Sequence, residues 1–202
     1  GSVSPVWSSL RAVFTECHNA GFEAAISEIG RIGSTDITVA KIADLAGVSS
    51  GLAHHYFGSK EQILLSAMRR ILAVFGAEVR TRLEKAVGNE QRLEAIIVSC
   101  FSNENFRPGI TSAWLSFYVQ AQYSFETGRL LRIYYRRLKS NLQANLKPLI
   151  GEQSGEVACG LASLIDGLYI RLSLQEEDLT PEEATGIALR FMRQSLLPMP
   201  TK

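Results

Sequence analysis

The 202-residue chain lacks the raw material for many functions. Its three cysteines, Cys17, Cys100 and Cys159, are odd in number and far apart, and none belongs to a CxxC or Cys/His pattern. That excludes a disulfide framework or a thiolate metal centre and predicts free thiols in a reducing cytosol. No run of ~18 apolar residues could span a bilayer, and no charged-then-apolar leader opens the chain, so a soluble cytoplasmic protein is expected. Strand-like alternation of period two is absent. So are a metal-ligand cluster, a phosphate-binding glycine loop, a nucleophile elbow and paired catalytic acids; neither an enzyme nor a cofactor is expected. Charge of one sign is missing too. With 21 Lys and Arg against 20 Asp and Glu the net charge is +1, too small for nucleic-acid binding by bulk electrostatics.

What the chain does have is helical periodicity and enough apolar material, 46% of residues, for a core without disulfides or metals. Nine helices are predicted. The first covers residues 15–32 and stops at Gly33. Thr38 caps the second, which Gly47 closes; Ser49 caps the third; Ser59 caps the fourth, with Gln62 completing a capping box. The fourth runs from Lys60 to Ala86, roughly 40 Å at 1.5 Å per residue, longer than one small domain needs. It therefore starts in one module, residues 15–66, and ends in a second, residues 67–197. Gly88-Asn89 breaks it. The fifth to eighth helices cover 90–102, 110–123, 126–149 and 154–174, and Thr180-Pro181-Glu182-Glu183 starts a ninth that reaches Leu196.

The segment from Thr38 to Lys60, TVAKIADLAGVSSGLAHHYFGSK, carries the most specific information. Two short helical patterns meet at a glycine turn, and the second holds Ser49, Ser50, Gly51, His54, His55 and Tyr56 where a core helix would hold leucines. Small residues let a helix backbone approach the edges of base pairs, and flanking hydroxyls and cations reach phosphates. The alternative is a helical hairpin with a polar outside. A metal at His54 and His55 is disfavoured, because adjacent helical residues point about 100° apart and no third ligand is near. The segment resembles the DNA-binding module of the TetR family, with HHYFGSK (His54 to Lys60) similar to the end of that family's recognition helix. The resemblance is strong over residues 20–68 and implies an all-α, nine-helix architecture, with DNA contacts from Thr38, Ser49, Ser50, Leu52, His54, Tyr56 and Lys60, to which the reading of the helix itself adds Gly51 and His55. One departure stands out: residues 2–17 contain only Arg11 where the family usually has a basic arm.

In the second module Trp114, Phe117, Tyr118 and Ala121 share one face of the sixth predicted helix, with Phe101, Phe106, Tyr123, Phe125, Tyr134 and Tyr135 nearby in sequence. Asp166 shares a face of the eighth with Tyr169. A buried carboxylate needs a partner, either Arg136 or Arg171 of this chain or a cationic ligand. The aromatic stripe is either ordinary core or a cage for such a ligand. AWLSFYVQA (113–121), RRLKSNL (136–142) and GLASLIDGLYIRLSL (160–174) resemble the BetI group of choline-sensing repressors. That likeness implies an effector domain for choline or a related cationic amine, bound among the fourth to eighth helices by Trp114, Phe117, Tyr118, Ala121, Asp166 and Tyr169. It also implies a homodimer through the eighth and ninth helices, where Ala184, Ile187, Ala188, Phe191 and Ser195 share a face. Such a dimer reads a palindromic double-stranded DNA operator with recognition helices about 34–36 Å apart, a spacing the effector would alter. A helical carrier or interaction protein without DNA binding is the competing expectation.

Overall fold

The computed structural model describes residues 26–27, 38–47, 49, 51, 59–175 and 179–197. Among these every regular element is helical. There are seven α-helices: α1 (Val39–Ala46), α2 (Lys60–Lys85), α3 (Gly88–Cys100), α4 (Pro108–Gln120), α5 (Phe125–Ile150), α6 (Ser154–Ser173) and α7 (Pro181–Ser195), with a 3-10 turn at Asn103–Phe106. The first and third predicted helices lie outside the described residues, apart from residues 26–27, which are helical, and the exposed Ser49 and Gly51.

Most boundaries follow from local capping. The backbone N–H of Lys41 donates to Thr38 Oγ1 (3.2 Å), and Gly47 closes α1 in the left-handed conformation (φ 68°), its N–H reaching the Ala43 and Asp44 carbonyls. At the start of α2 the predicted box is formed: Gln62 N–H donates to Ser59 Oγ (3.3 Å) and Ser59 N–H to Gln62 Oε1 (3.0 Å). Thr180 and Glu183 make the same reciprocal pair on α7. The break after α2 falls at Ala86–Val87, one residue before the glycine, because Gln91 Oε1 accepts from the Val87 N–H (2.9 Å) and lets α3 begin at Gly88. A proline in the first turn likewise starts α4 at Pro108, two residues early.

The chain divides into two units. One holds the chain up to Ile71 together with Pro108–Gln120; the other holds Leu72–Arg107 and Ala121–Lys202. In the first, Ala43, Ile63, Ala67, Met68, Ala113 and Phe117 are almost wholly buried. Its two sequence-distant pieces touch at Gly109, where an added Cβ would collide with the Ile26 carbonyl oxygen and lie 2.9 Å from Ile26 Cγ2. Only a residue without a side chain permits that approach. In the second unit one cluster joins five helices: Val79 of α2, Leu93, Ile96 and Ile97 of α3, Leu138, Leu142 and Leu146 of α5, Leu161, Ile165 and Leu168 of α6, and Ala184, Ala188 and Met192 of α7.

The face of α7 expected to hold Ala184, Ile187, Ala188, Phe191 and Ser195 together is divided: Ala184 and Ala188 lie in the core with Met192, and Phe191 is 36% exposed beside Gly160 of α6. Alanines at 184 and 188 with methionine at 192 form an i, i+4, i+8 row, and a flexible thioether fills the space that two small residues leave.

Candidate functional site

The first candidate surface lies around α1. Val39 and Ala43 anchor the helix inward, while Thr38, Lys41, Asp44 and Leu45 are exposed. The first turn of α1 contains no acid, so its unpaired N–H groups keep their partial positive charge, as phosphate binding requires. The Thr38 oxygen is engaged as the cap, which leaves its hydroxyl proton free to donate outward. Ser49 and Gly51 are exposed, and a Cβ at Gly51 would meet no atom within 4 Å. Among the described residues, packing therefore makes no demand for a small residue at position 51. Ser50, Leu52, His54, His55 and Tyr56 lie outside the described residues. Lys60 is placed as the first residue of α2.

The aromatic residues sort differently from their spacing. Trp114 packs edge-on to Phe117 (5.9 Å between ring centroids) and tilted against Tyr118 (5.6 Å). Trp114 and Phe117 are buried; Tyr118 is half-buried. Ala121 falls off the shared face, because α4 stops at Gln120 and Ala121 begins the turn that follows. Tyr123 and Phe125 are 84% and 74% exposed and belong to no cage.

Within the second unit Asp166 and Tyr169 occupy the same side of α6. Asp166 is half-buried, and burial raises its carboxyl pKa to about 7. Among the described residues neither Arg136 nor Arg171 pairs with it, and no other cation does. The expected internal salt bridge is therefore not made. Tyr169 is buried; its hydroxyl donates to the Asn105 carbonyl (2.9 Å) and its ring lies against Phe106 (5.0 Å, 37°). Two residues that sequence reasoning passed over belong here. The Cys100 thiol donates to Ile96 O (3.2 Å), and burial together with the negative charges of Asp166 and Glu78 pushes it far up, so it stays protonated and unreactive. Glu78 accepts from Ser102 Oγ (3.0 Å) and pairs with Arg82 (3.1 Å). Glu78, Cys100 and Asp166 come from three helices far apart in sequence, so no periodicity could have joined them. The site can attract a cation, with an aromatic face and a carboxylate already present.

Comparison with known proteins agrees with this division of labour. The family of bacterial regulatory proteins named for tetR matches residues 22–67, and the C-terminal region of BetI-type transcriptional repressors matches residues 89–197. The chain is 44% identical over 179 residues to the HTH-type transcriptional regulator BetI of Agrobacterium fabrum, covering 88% of this chain and 87% of that one. Among solved structures, a TetR transcription regulator from Haloarcula marismortui superposes with a TM-score of 0.80 at 20% identity, over 89% of this chain and 98% of the other. A regulator from Saccharomonospora viridis solved in complex with choline superposes at 0.77 and 21% identity, over 89% and 96%. Among the described residues no helix is long and apolar enough to cross a membrane. A helix-turn-helix module read from Thr38 to Lys60, an all-helical fold and relatedness along nearly the whole chain lead to one conclusion: this is a DNA-binding transcriptional regulator, not an enzyme, and it belongs to the TetR family with a BetI-type C-terminal region.

Proposed function

We propose that the protein is a cytoplasmic homodimeric repressor that a cationic amine of the choline class releases from a palindromic operator. Residues 15–66 carry the reading function and residues 67–197 the effector and dimerisation functions, although residues 108–120 pack with the reading unit. Ser49, Ser50, Gly51 and Leu52 approach the base edges, His54 and His55 follow one turn on, and Thr38, Tyr56 and Lys60 hold phosphates. With a net charge of +1 the affinity comes from these few contacts, doubled by symmetry, rather than from a basic surface.

The observation that carries the effector reading is Asp166, a half-buried carboxylate with no cation of the described chain paired to it. Such a group gains from an external cation that brings little hydration of its own to lose, as a quaternary ammonium does. Tyr169 and Phe106 supply ring surface on the same side, each ring worth roughly 0.5–2 kcal/mol to a cation over its face. Trp114, Phe117, Tyr118 and Ala121 are the further ligand-contact candidates on the chain; residues 114, 117 and 118 lie in the other unit.

A mobility-shift titration on the DNA flanking the protein's own gene, at fixed salt, tests the reading. A self-adjacent palindrome should shift at nanomolar protein, and millimolar choline should reverse the shift; no shift on any such palindrome sinks the repressor reading. Within the reading module, two glycines separate fold from function. Gly47→Ala should lower the melting temperature by several degrees, since a left-handed residue with a Cβ costs about 1 kcal/mol. Gly51→Ala should leave melting unchanged and weaken operator binding at least tenfold, because its methyl meets only the space that DNA would fill. Equal operator affinity in Gly51→Ala and the parent would remove residue 51 from the interface.

A further inference from the structure

Tyr169 is held by something other than its own helix, and what holds it leads to α2. Its hydroxyl donates to the backbone carbonyl of Asn105 (2.9 Å), and its ring packs on Phe106 (5.0 Å). Asn105 is itself fixed. It is 8% exposed in the 3-10 turn, and its side-chain amide donates to the Ser99 carbonyl at the end of α3 (2.8 Å) and to Ser102 Oγ (3.2 Å). The Ser102 hydroxyl has one proton, and it goes to Glu78 Oε2 on α2 (3.0 Å). The other Glu78 oxygen accepts from Arg82 Nε and Nη2 (3.3 and 3.1 Å).

The order of donors leaves little freedom. The Asn105 amide nitrogen can only donate, so Ser102 accepts from it and turns its proton toward Glu78, whose two oxygens accept from Ser102 and from Arg82. Bonds chained in this way polarise one another, and losing one weakens the rest. Asp166, one turn before Tyr169 on α6, takes no part in the chain.

We propose that Ser102 and Asn105 form a latch between the effector site and α2, in which a ligand that draws Tyr169 toward it loosens Asn105 and frees Glu78 to change partners. What moves Tyr169 rests on the effector reading above; the linkage from Tyr169 to Glu78 does not. Ser102 and Asn105 are positioning residues that touch no effector. The part of α2 they act on belongs to the same uninterrupted helix that begins at Lys60.

Two measurements on the full chain keep the linkage and the reading apart. The first is a double-mutant cycle of melting temperatures for Tyr169→Phe and Glu78→Ala, which share no hydrogen bond. The latch predicts a departure from additivity of at least about 2 °C, abolished in a Ser102→Ala background and restored with Ser102→Thr. Additive shifts overturn the latch whatever the effector is. The second compares operator affinity with and without choline. Ser102→Ala should bind choline with its affinity unchanged, yet show at least a fivefold smaller choline-induced loss of operator affinity, with Ser102→Thr behaving as the parent. A full response in Ser102→Ala overturns the latch. A parent protein that ignores choline overturns the effector reading and leaves the thermal cycle to decide the linkage alone.

Discussion

Choline binding should weaken on the order of a hundredfold between pH 8 and pH 5, and Asp166→Asn should remove the dependence along with most of the affinity. The burial that lifts the Asp166 carboxyl to about 7 leaves it mostly ionised at pH 8 and almost wholly neutral at pH 5. Only the ionised form attracts a cation, so each pH unit below 7 costs about tenfold in affinity. Binding must in turn expel the proton. Near pH 6 calorimetry in two buffers of different ionisation enthalpy should report close to one proton released per ligand. The same group sets the sign of a stability effect. Its folded value lies above that of the unfolded chain, so the native state holds more protons between about pH 4 and 7, and the stability this gives is lost as pH rises through that window. Asp166→Asn should therefore melt higher than the parent at pH 8. Two neighbours, Glu78 and Cys100, share the field. Glu78 is paired with Arg82 and Cys100 stays a thiol; loss of the pH dependence in Asp166→Asn is what assigns the transition to Asp166. A pH-independent affinity in the parent chain would refute Asp166 as the counter-ion.

Phe191→Glu should convert a dimer to a monomer and reduce operator affinity by about 10² to 10⁴. Light scattering on a sizing column and the mobility shift would read the two effects. The dimer proposed above would use the outer faces of α6 and α7, where Cys159, Gly160, Ser163 and Gly167 are exposed on α6 and Phe191 stands exposed next to Gly160. Small residues in a row let another helix approach closely, and one large ring provides the buried anchor. A carboxylate at that ring would be buried unpaired if the dimer formed, so the dimer does not form. Two half-sites held by one linked pair gain the local-concentration advantage that separate monomers lose, which sets the size of the expected drop. Phe191→Leu keeps the apolar contact and should remain dimeric. A Phe191→Glu protein still dimeric at micromolar concentration would place the interface elsewhere.

Local rules were legible in the sequence and long-range pairings were not. Thr38, Ser59 with Gln62, and Thr180 with Glu183 cap their helices as their spacing demands, because a cap is decided within four residues. The ends that slipped were those decided from outside the pattern. Gln91 reached back to set the start of α3, and Pro108 opened α4 two residues early. On α7 the face read as one, Ala184, Ile187, Ala188, Phe191 and Ser195, is divided by tertiary packing that periodicity does not see: Ala184 and Ala188 join Met192 in the core and Phe191 stays exposed. At the candidate site, Asp166 and Tyr169 announced themselves by lying in an apolar run. Glu78, Ser102 and Asn105 did not, because each looks like an ordinary surface residue until α2, α3 and the 3-10 turn are brought together.

The contact of Gly109 with Ile26 bears on how this protein can be recombined with its relatives. The unit that carries the reading helices takes in Pro108–Gln120 as well as the start of the chain. A hybrid regulator joined anywhere between α2 and α4 would inherit its first helices from one parent and the segment they rest against from the other. Such a chimera tolerates a foreign α4 only if position 109 still lacks a side chain. Operator specificity and effector specificity are thus less interchangeable here than a map of two consecutive segments suggests, and a graft that carries residues 108–120 along with the reading module is the one to build.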